Sequence, residues 1–183
     1  MDRLRTESVL LDPLTREDYP WLFVLYADPE VMRYIGHGPR TEEESQKNLD
    51  WLLDHGERFS FGYWVLRDAA NHGRFGGAVL MYRRPDTPVE LGFMLAREAW
   101  GRGLATQAAQ ALVSHAFADL QLPELQAFTQ VENTASAKVL CKAGLREAGV
   151  CPGPYGGIDR RFELKRDEWM LQRNSSDKLS NMR

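Results

Sequence analysis

Glu98-Ala99-Trp100-Gly101-Arg102-Gly103-Leu104-Ala105 joins an apolar strand pattern to a long helical pattern, and the fold turns on how this junction is read. Just upstream, Val89-Glu90-Leu91-Gly92-Phe93-Met94-Leu95 is rich in strand formers. Just downstream, residues 104–120 carry helical periodicity, with apolar side chains on two sides, as in a helix packed deep against a sheet. Gly101 and Gly103 let the chain turn without a side chain in the way. First-turn amides of a helix have no partner inside it and carry a positive partial charge, so such a junction can hold a phosphate or pyrophosphate on main-chain N–H groups. It can equally be a tight turn. The nucleotide fingerprints do not fit, for there is no Gly-Lys-Ser/Thr and no third glycine placed as in a dinucleotide-binding turn.

Working outward, residues 7–14 read as a first strand. Thr15 and Asp18 mark a capped helix to about residue 26, and Asp28-Pro29 starts another that ends near Gly36 to Pro39. Thr41-Glu42-Glu43-Glu44 is a capping box opening a helix that should end near Gly56. Strands follow at 62–67 and 75–82, antiparallel because the Asn71-His72-Gly73 link is short, and Pro85 to Pro88 breaks the chain before the Val89 strand. On the C-terminal side come a strand at 124–131, a helix at 133–143 closed by Gly144, a weak strand at 145–150, a Pro/Gly loop at 151–157 and a strand at 159–165. This order predicts a mixed α/β (α+β) single domain over residues 1–173, with a central, mostly antiparallel sheet, and a polar, disordered tail at 174–183.

The chain has 183 residues, which favours one domain, and its net charge of −3 argues against a nucleic-acid partner. Cys141 and Cys151 form no metal pattern, so no metal is expected, and they read as reduced thiols of a cytoplasmic protein. No apolar run suits a membrane span. Cys141 is a poor nucleophile on a packed helix without a neighbouring His; His115 belongs to a helix face, and His37, His55 and His72 to solvated turns or helix ends.

A second segment narrows the choice: Asn133-Thr134-Ala135-Ser136-Ala137-Lys138-Val139-Leu140 starts a helix about thirty residues after the first junction. With both segments in place the chain resembles the GNAT N-acetyltransferase superfamily, and within it the RimJ/RimL-like branch. The resemblance runs from Leu10-Leu11-Asp12-Pro13-Leu14 and Asp28-Pro29-Glu30-Val31-Met32 to Arg166-Asp167-Glu168-Trp169. The family's pyrophosphate loop reads Arg/Gln-x-x-Gly-x-Gly/Ala; Gly103 and Ala105 match it, and Trp100 replaces the leading residue. The resemblance implies acetyl-CoA as cosubstrate, its pyrophosphate on amides of Trp100, Gly101, Arg102, Gly103, Leu104 and Ala105, and its pantetheine arm along Phe93, Met94 and Leu95 like an added strand. It implies a sheet splayed between two strands with helices on both faces. It also puts Asn133 against the pantetheine or acceptor, Ser136 near the thioester sulfur, and the acceptor pocket near Tyr26, Met32, Arg33 and Tyr34. Many members carry a proton-donating Tyr seven residues after the Asn; here that slot is Leu140, one helical turn after Ser136. Ser136 is then either the replacement donor or a helix-start residue bonded to its own backbone, and Asn133 is an N-cap, a ligand contact, or both.

The chemistry adds one requirement. An α-amine with a pKa of about 8, or a lysine amine at about 10.4, must lose a proton before it attacks a thioester. Glu90, early in the strand that should face the cofactor, is the candidate base or water anchor, against the alternative of a salt-bridged strand carboxylate. Main-chain N–H groups around Phe93 to Leu95 are the candidate oxyanion donors. The expected activity is acetyl transfer to a primary amine by direct attack in a ternary complex. The acceptor is a protein N-terminal amine or a small amine such as a polyamine, amino acid or aminoglycoside; an acyl-CoA-binding sensor is the rival of another class. The loop at 153–157 closes over the acceptor, meets a second subunit in a homodimer, or is only a loop.

Overall fold

Residues 1–153 and 156–180 are described by the structure, a computed structural model, with backbone only for 175–180. Eight strands form one sheet: β1 (Leu4–Arg5), β2 (Val9–Pro13), β3 (Tyr63–Asp68), β4 (Arg74–Met81), β5 (Val89–Leu95), β6 (Glu124–Gln130), β7 (Arg146–Pro152) and β8 (Ile158–Lys165). Their order is β1-β2-β3-β4-β5-β6-β8-β7, antiparallel throughout except between β5 and β6. That single parallel pairing is forced by the helix between the two strands, because a crossover must return the chain to the same end of the sheet.

Alternation along the strands gives the sheet two apolar faces. Trp64, Leu66, Leu80 and Leu91 face α4 (Leu104–Ser114) and α5 (Thr134–Lys142), which bury Leu112 and Leu140 against them. Val65, Val79 and Met94 face α1 (Tyr19–Ala27), α2 (Pro29–Met32) and α3 (Glu42–Phe59), which supply Leu22, Met32 and Leu49. Each such side chain contributes about 1.5–3 kcal/mol when fully buried, so these two layers hold the helices on. Two of the expected starts are realised as caps: Asp28 accepts from the amides of Glu30 at 2.9 Å and Val31 at 3.4 Å, and Thr41 and Glu44 close a reciprocal box.

Several expectations need correction. The first strand is shorter than 7–14 and is preceded by β1. A 3-10 turn at Arg16–Asp18 leads into α1, because Asp18 is held by Thr15 and by two arginines. Helix α3 runs past Gly56 to Phe59. Gly56 is a packing contact and not a stop: a Cβ on Gly62 would lie 3.0 Å from the Gly56 Cα, so helix and strand meet there backbone to backbone. The long helix after the junction widens into one π turn over His115–Asp119, where Leu120 N–H reaches His115 O at 3.0 Å. His115 is buried edge-on against Trp64, as a packed helix-face residue, whereas His55, expected to be solvated, is buried and bridges Phe61 O and Tyr82 N–H. Cys141 is exposed rather than packed. Strand β7 takes in residues expected to be loop, and α6 (Arg166–Ser180) continues into the stretch expected to be a disordered tail; residues 181–183 lie outside the described residues.

Candidate active site

Strands β5 and β6 pair only at Val89 with Leu125 and Glu90 with Gln126. Beyond Glu90 they separate, leaving a wedge open toward their C-terminal ends. The Gln126 side chain holds the closed end by donating to Pro88 O at 2.9 Å. Ala96 N–H donates to Phe75 O at 2.8 Å, which sets the antiparallel phase of β4 and β5. Gly92 and Met94 therefore turn their backbone groups to β4, whereas Leu91, Phe93 and Leu95 turn theirs into the wedge. The Leu95 carbonyl accepts the Trp100 indole N–H at 2.8 Å, so Phe93 is the residue in the middle of the wedge that offers an N–H and a C=O to an incoming chain. Met94 turns its backbone toward β4, and its side chain lies on the opposite face, in the second core, where it still borders the cavity.

The junction at residues 98–105 sits at the mouth of this wedge. Trp100 N–H is already bonded to Arg97 O at 3.1 Å, so the cradle of free donors starts one residue later than expected. Gly101 and Gly103 hold φ of 73° and 75°, a left-handed geometry that L side chains resist. The first helical bond is made by Gln107 to Gly103 O at 3.2 Å, so the amides of Leu104, Ala105 and Thr106 precede the ladder. Lys138 and Lys142, one turn apart on α5, line the same region, and Gln110 ties α4 to α5 through Lys142 O at 2.9 Å. Arg102 points away, toward Asp68 at 3.8 Å. A cavity of about 890 Å³ runs from this loop past Phe93 to Glu90, then on between the sheet and α1 to α3. That is the upper part of the range for small-molecule sites.

At the inner end of the wedge Glu90 is buried and gripped by Arg83, with Nε to Oε2 at 2.7 Å and Nη2 to Oε1 at 2.5 Å. This fork occupies both carboxylate oxygens. Asp159, at the start of β8, is a second buried carboxyl lining the cavity, and no hydrogen bond or ion pair holds it among the described residues. Burial raises its pKa, the neighbouring Glu90 charge raises it further, and Arg83 pulls the other way. Sequence reading missed Asp159; its partner strand and the closeness of Glu90 are tertiary facts. Ser136 lines the cavity, and its hydroxyl makes no bond to its own backbone among the described residues. Asn133 caps α5, accepting Ser136 N–H at 3.1 Å, and lines the cavity as well. Leu140, seven residues after Asn133, is buried and also borders it.

On the far side, Tyr26, Arg33 and Tyr34 line the cavity, but Met32 is fully buried in the second core and does not. Tyr63, Asn48 and Arg40, which the sequence had not singled out, also line this end. Gly156 borders the site; Pro154 and Tyr155 of the loop expected to close over the acceptor lie outside the described residues.

Comparison with known proteins gives a consistent picture. Residues 8–146 match the family model of the acetyltransferase (GNAT) domain. The chain is 30% identical to an FsC-acetyl coenzyme A-N(2)-transacetylase of Aspergillus fumigatus, over 94% of this chain and 80% of that one. It has the same fold as RimL, a ribosomal L7/L12 alpha-N-protein acetyltransferase solved with coenzyme A, at a TM-score of 0.78 and 14% identity, covering 90% of this chain and 98% of that one. The fold is shared too with a spermidine N-acetyltransferase from Vibrio cholerae solved with CoA and spermine, at a TM-score of 0.76 and 19% identity, covering 90% and 99%.

Proposed function

Because this chain belongs to the GNAT acetyltransferase family, and is an acetyl-CoA-dependent N-acetyltransferase, we propose that the β5–β6 wedge is where a primary amine attacks the acetyl thioester directly. The observation that carries the reading is the alignment of three features along one cavity: unladdered amides at the start of α4, the open backbone of Phe93, and the carboxyls of Glu90 and Asp159. The loop amides from Gly101 onward, with Lys138 and Lys142, take the pyrophosphate. The pantetheine amides bond to Phe93 as a missing strand would, which brings the thioester to the wedge's inner end.

There the amine lone pair forms the new C–N bond to the acetyl carbon, the C–S bond breaks, and coenzyme A leaves as a thiolate. The amine's proton passes to Asp159, directly or through a water held by Glu90. Glu90 suits the anchoring role because Arg83 already occupies its oxygens, whereas Asp159 is free to accept. The Ser136 hydroxyl, unbound to the backbone, gives its proton to the thiolate and is reprotonated from solvent, taking the role for which Leu140 has no group. Free-thiol release from acetyl-CoA that requires an amine tests this reading. Asp159→Asn, Glu90→Gln and Ser136→Ala should each lower kcat by about 10²- to 10⁴-fold with little change in acetyl-CoA affinity. Coenzyme binding without turnover across a broad amine panel would instead identify a sensor.

The transferase domain in this reading is residues 1–173, acting in the cytoplasm, where Cys141 and Cys151 stay reduced. Trp100 at the head of the loop and Ser136 ahead of Leu140 support placement in the RimJ/RimL-like branch. The relatives named above act on both protein and small-amine acceptors, and the choice between these rests on the far end of the cavity.

A further inference from the structure

Two charged groups in the inner cavity remain once its ion pairs are drawn. Arg33 is paired with Glu30 at 3.2 Å, and Arg83 grips Glu90. Lys138 and Lys142 belong to the coenzyme end. That leaves the Asp159 carboxylate on one side and the Arg40 guanidinium on the other.

Arg40 is placed with care. It follows Pro39 and enters the site between α2 and α3, fixed by its own N–H to Tyr26 O at 2.9 Å. Its guanidinium lies over the Tyr26 ring at 4.9 Å, and its buried Nη1 has no hydrogen-bond partner. Among the described residues it makes no ion pair. Glu44, the acid that feels its charge, is committed to the Thr41 cap at 2.8 Å. Beside it the Tyr63 hydroxyl, on a side chain 5% exposed, is buried facing the Tyr26 hydroxyl and makes no hydrogen bond of good geometry. The Tyr63 ring packs on Gly77, where a Cβ would fall 1.7 Å from the hydroxyl, so only glycine there lets it lie in this position. Asn48 completes the group through a 3.4 Å bond to the Tyr26 hydroxyl. Burial holds both tyrosines protonated, so each remains a donor. A half-buried cation with a buried N–H left unmatched, bordering the cavity, is costly unless something completes it.

We propose, on the basis of the transferase reading above, that the acceptor is an amino-carboxylate: its amine enters beside Asp159, and its carboxylate is received by Arg40 with Tyr63 and Asn48. A carboxylate answers the guanidinium with charge-assisted bonds. A polyamine would bring a second ammonium to the arginine, and the one other acid at that end, Glu30, is already taken by Arg33. An uncharged amide in place of the carboxylate leaves the cation unmatched.

The test is free-thiol release from acetyl-CoA with a panel of L-amino acids, the matching L-amino acid amides, and spermidine, all corrected to the unprotonated amine. Wild-type kcat/KM should favour one or more acids over their amides by about 10- to 100-fold. Arg40→Gln should cancel that preference by raising KM for the acids, leaving KM for acetyl-CoA where it was; Arg40→Lys should keep part of it. Coenzyme titration of each variant confirms that it is folded. Amides or spermidine used as well as the acids, or a preference that survives Arg40→Gln, overturns the proposal and leaves the transferase reading intact. No turnover of any amine by a protein that binds coenzyme A overturns both. The acid-to-amide ratio is read on the wild-type protein, so it decides even where a variant fails to fold.

Discussion

Asp18 is 1% exposed and answers two guanidinium groups, Arg67 at 2.6 Å and Arg74 at 2.8 Å. Burial alone would raise its pKa, but the bonds from Arg74 and Thr15 and the charge of Arg67 outweigh that, and the net shift is downward. Its contribution to stability is thus complete above the ordinary carboxylate range near 3.8 and is lost as pH falls through the lowered value. Asp18→Asn should cost about 3–5 kcal/mol in urea unfolding at neutral pH and should flatten the loss of stability below about pH 4. Asp159 has the opposite sign. Its pKa is raised, so the fold loses stability relative to the unfolded chain as pH rises from the ordinary carboxylate value through the raised one. If it is the base, the acid limb of kcat/KM should lie above the ordinary Asp range, and Asp159→Asn should remove that limb from the profile. A limb unchanged in the variant would return the base role to Glu90.

At the scale of elements the junction at 98–105 carries the binding geometry. A Cβ on Gly103 would meet nothing within 4 Å, so Gly103→Ala tests conformation alone. At φ of 75° it should cost about 1–2 kcal/mol in thermal unfolding and weaken coenzyme A binding measured by titration, because the amides that follow lose their aim. Thr41→Ala, by contrast, should cost about 1 kcal/mol through the cap of α3 and leave coenzyme affinity alone. These local devices were legible in the sequence because glycine pairs, capping boxes and alternation act over a few residues. So were the strands of the sheet centre and the helices on either face. What was not legible depends on distant partners. Gly56 reads as a stop until Gly62 is seen against it, and His55 reads as solvated until Phe61 and Tyr82 enclose it. Glu90 was readable as a candidate carboxylate, but the Arg83 grip, the Asp159 carboxyl lining the same cavity and the unmatched Arg40 Nη1 are set by strand order and loop placement, which no short window contains.

Over the whole molecule, the coenzyme is expected to act as a stabiliser. At a concentration of 100 times its Kd it should add about 2.7 kcal/mol, a rise in Tm on the order of 5–10 °C for a chain of this size. The rise should shrink in Gly103→Ala, and a wild-type protein showing none would count against the wedge as the coenzyme site. The brevity of the β5–β6 pairing extends this further. The eight strands are two leaves, β1 to β5 and β6 with β8 and β7, bound along a spine only two residue pairs long. A ligand strand slipped between them is bookbinding as much as cargo: it joins pages that the chain itself leaves loose. Amide exchange should then slow together on both sides of the opening, at Phe93 and at Phe128 to Gln130, while the β3–β4 interior keeps its own pace.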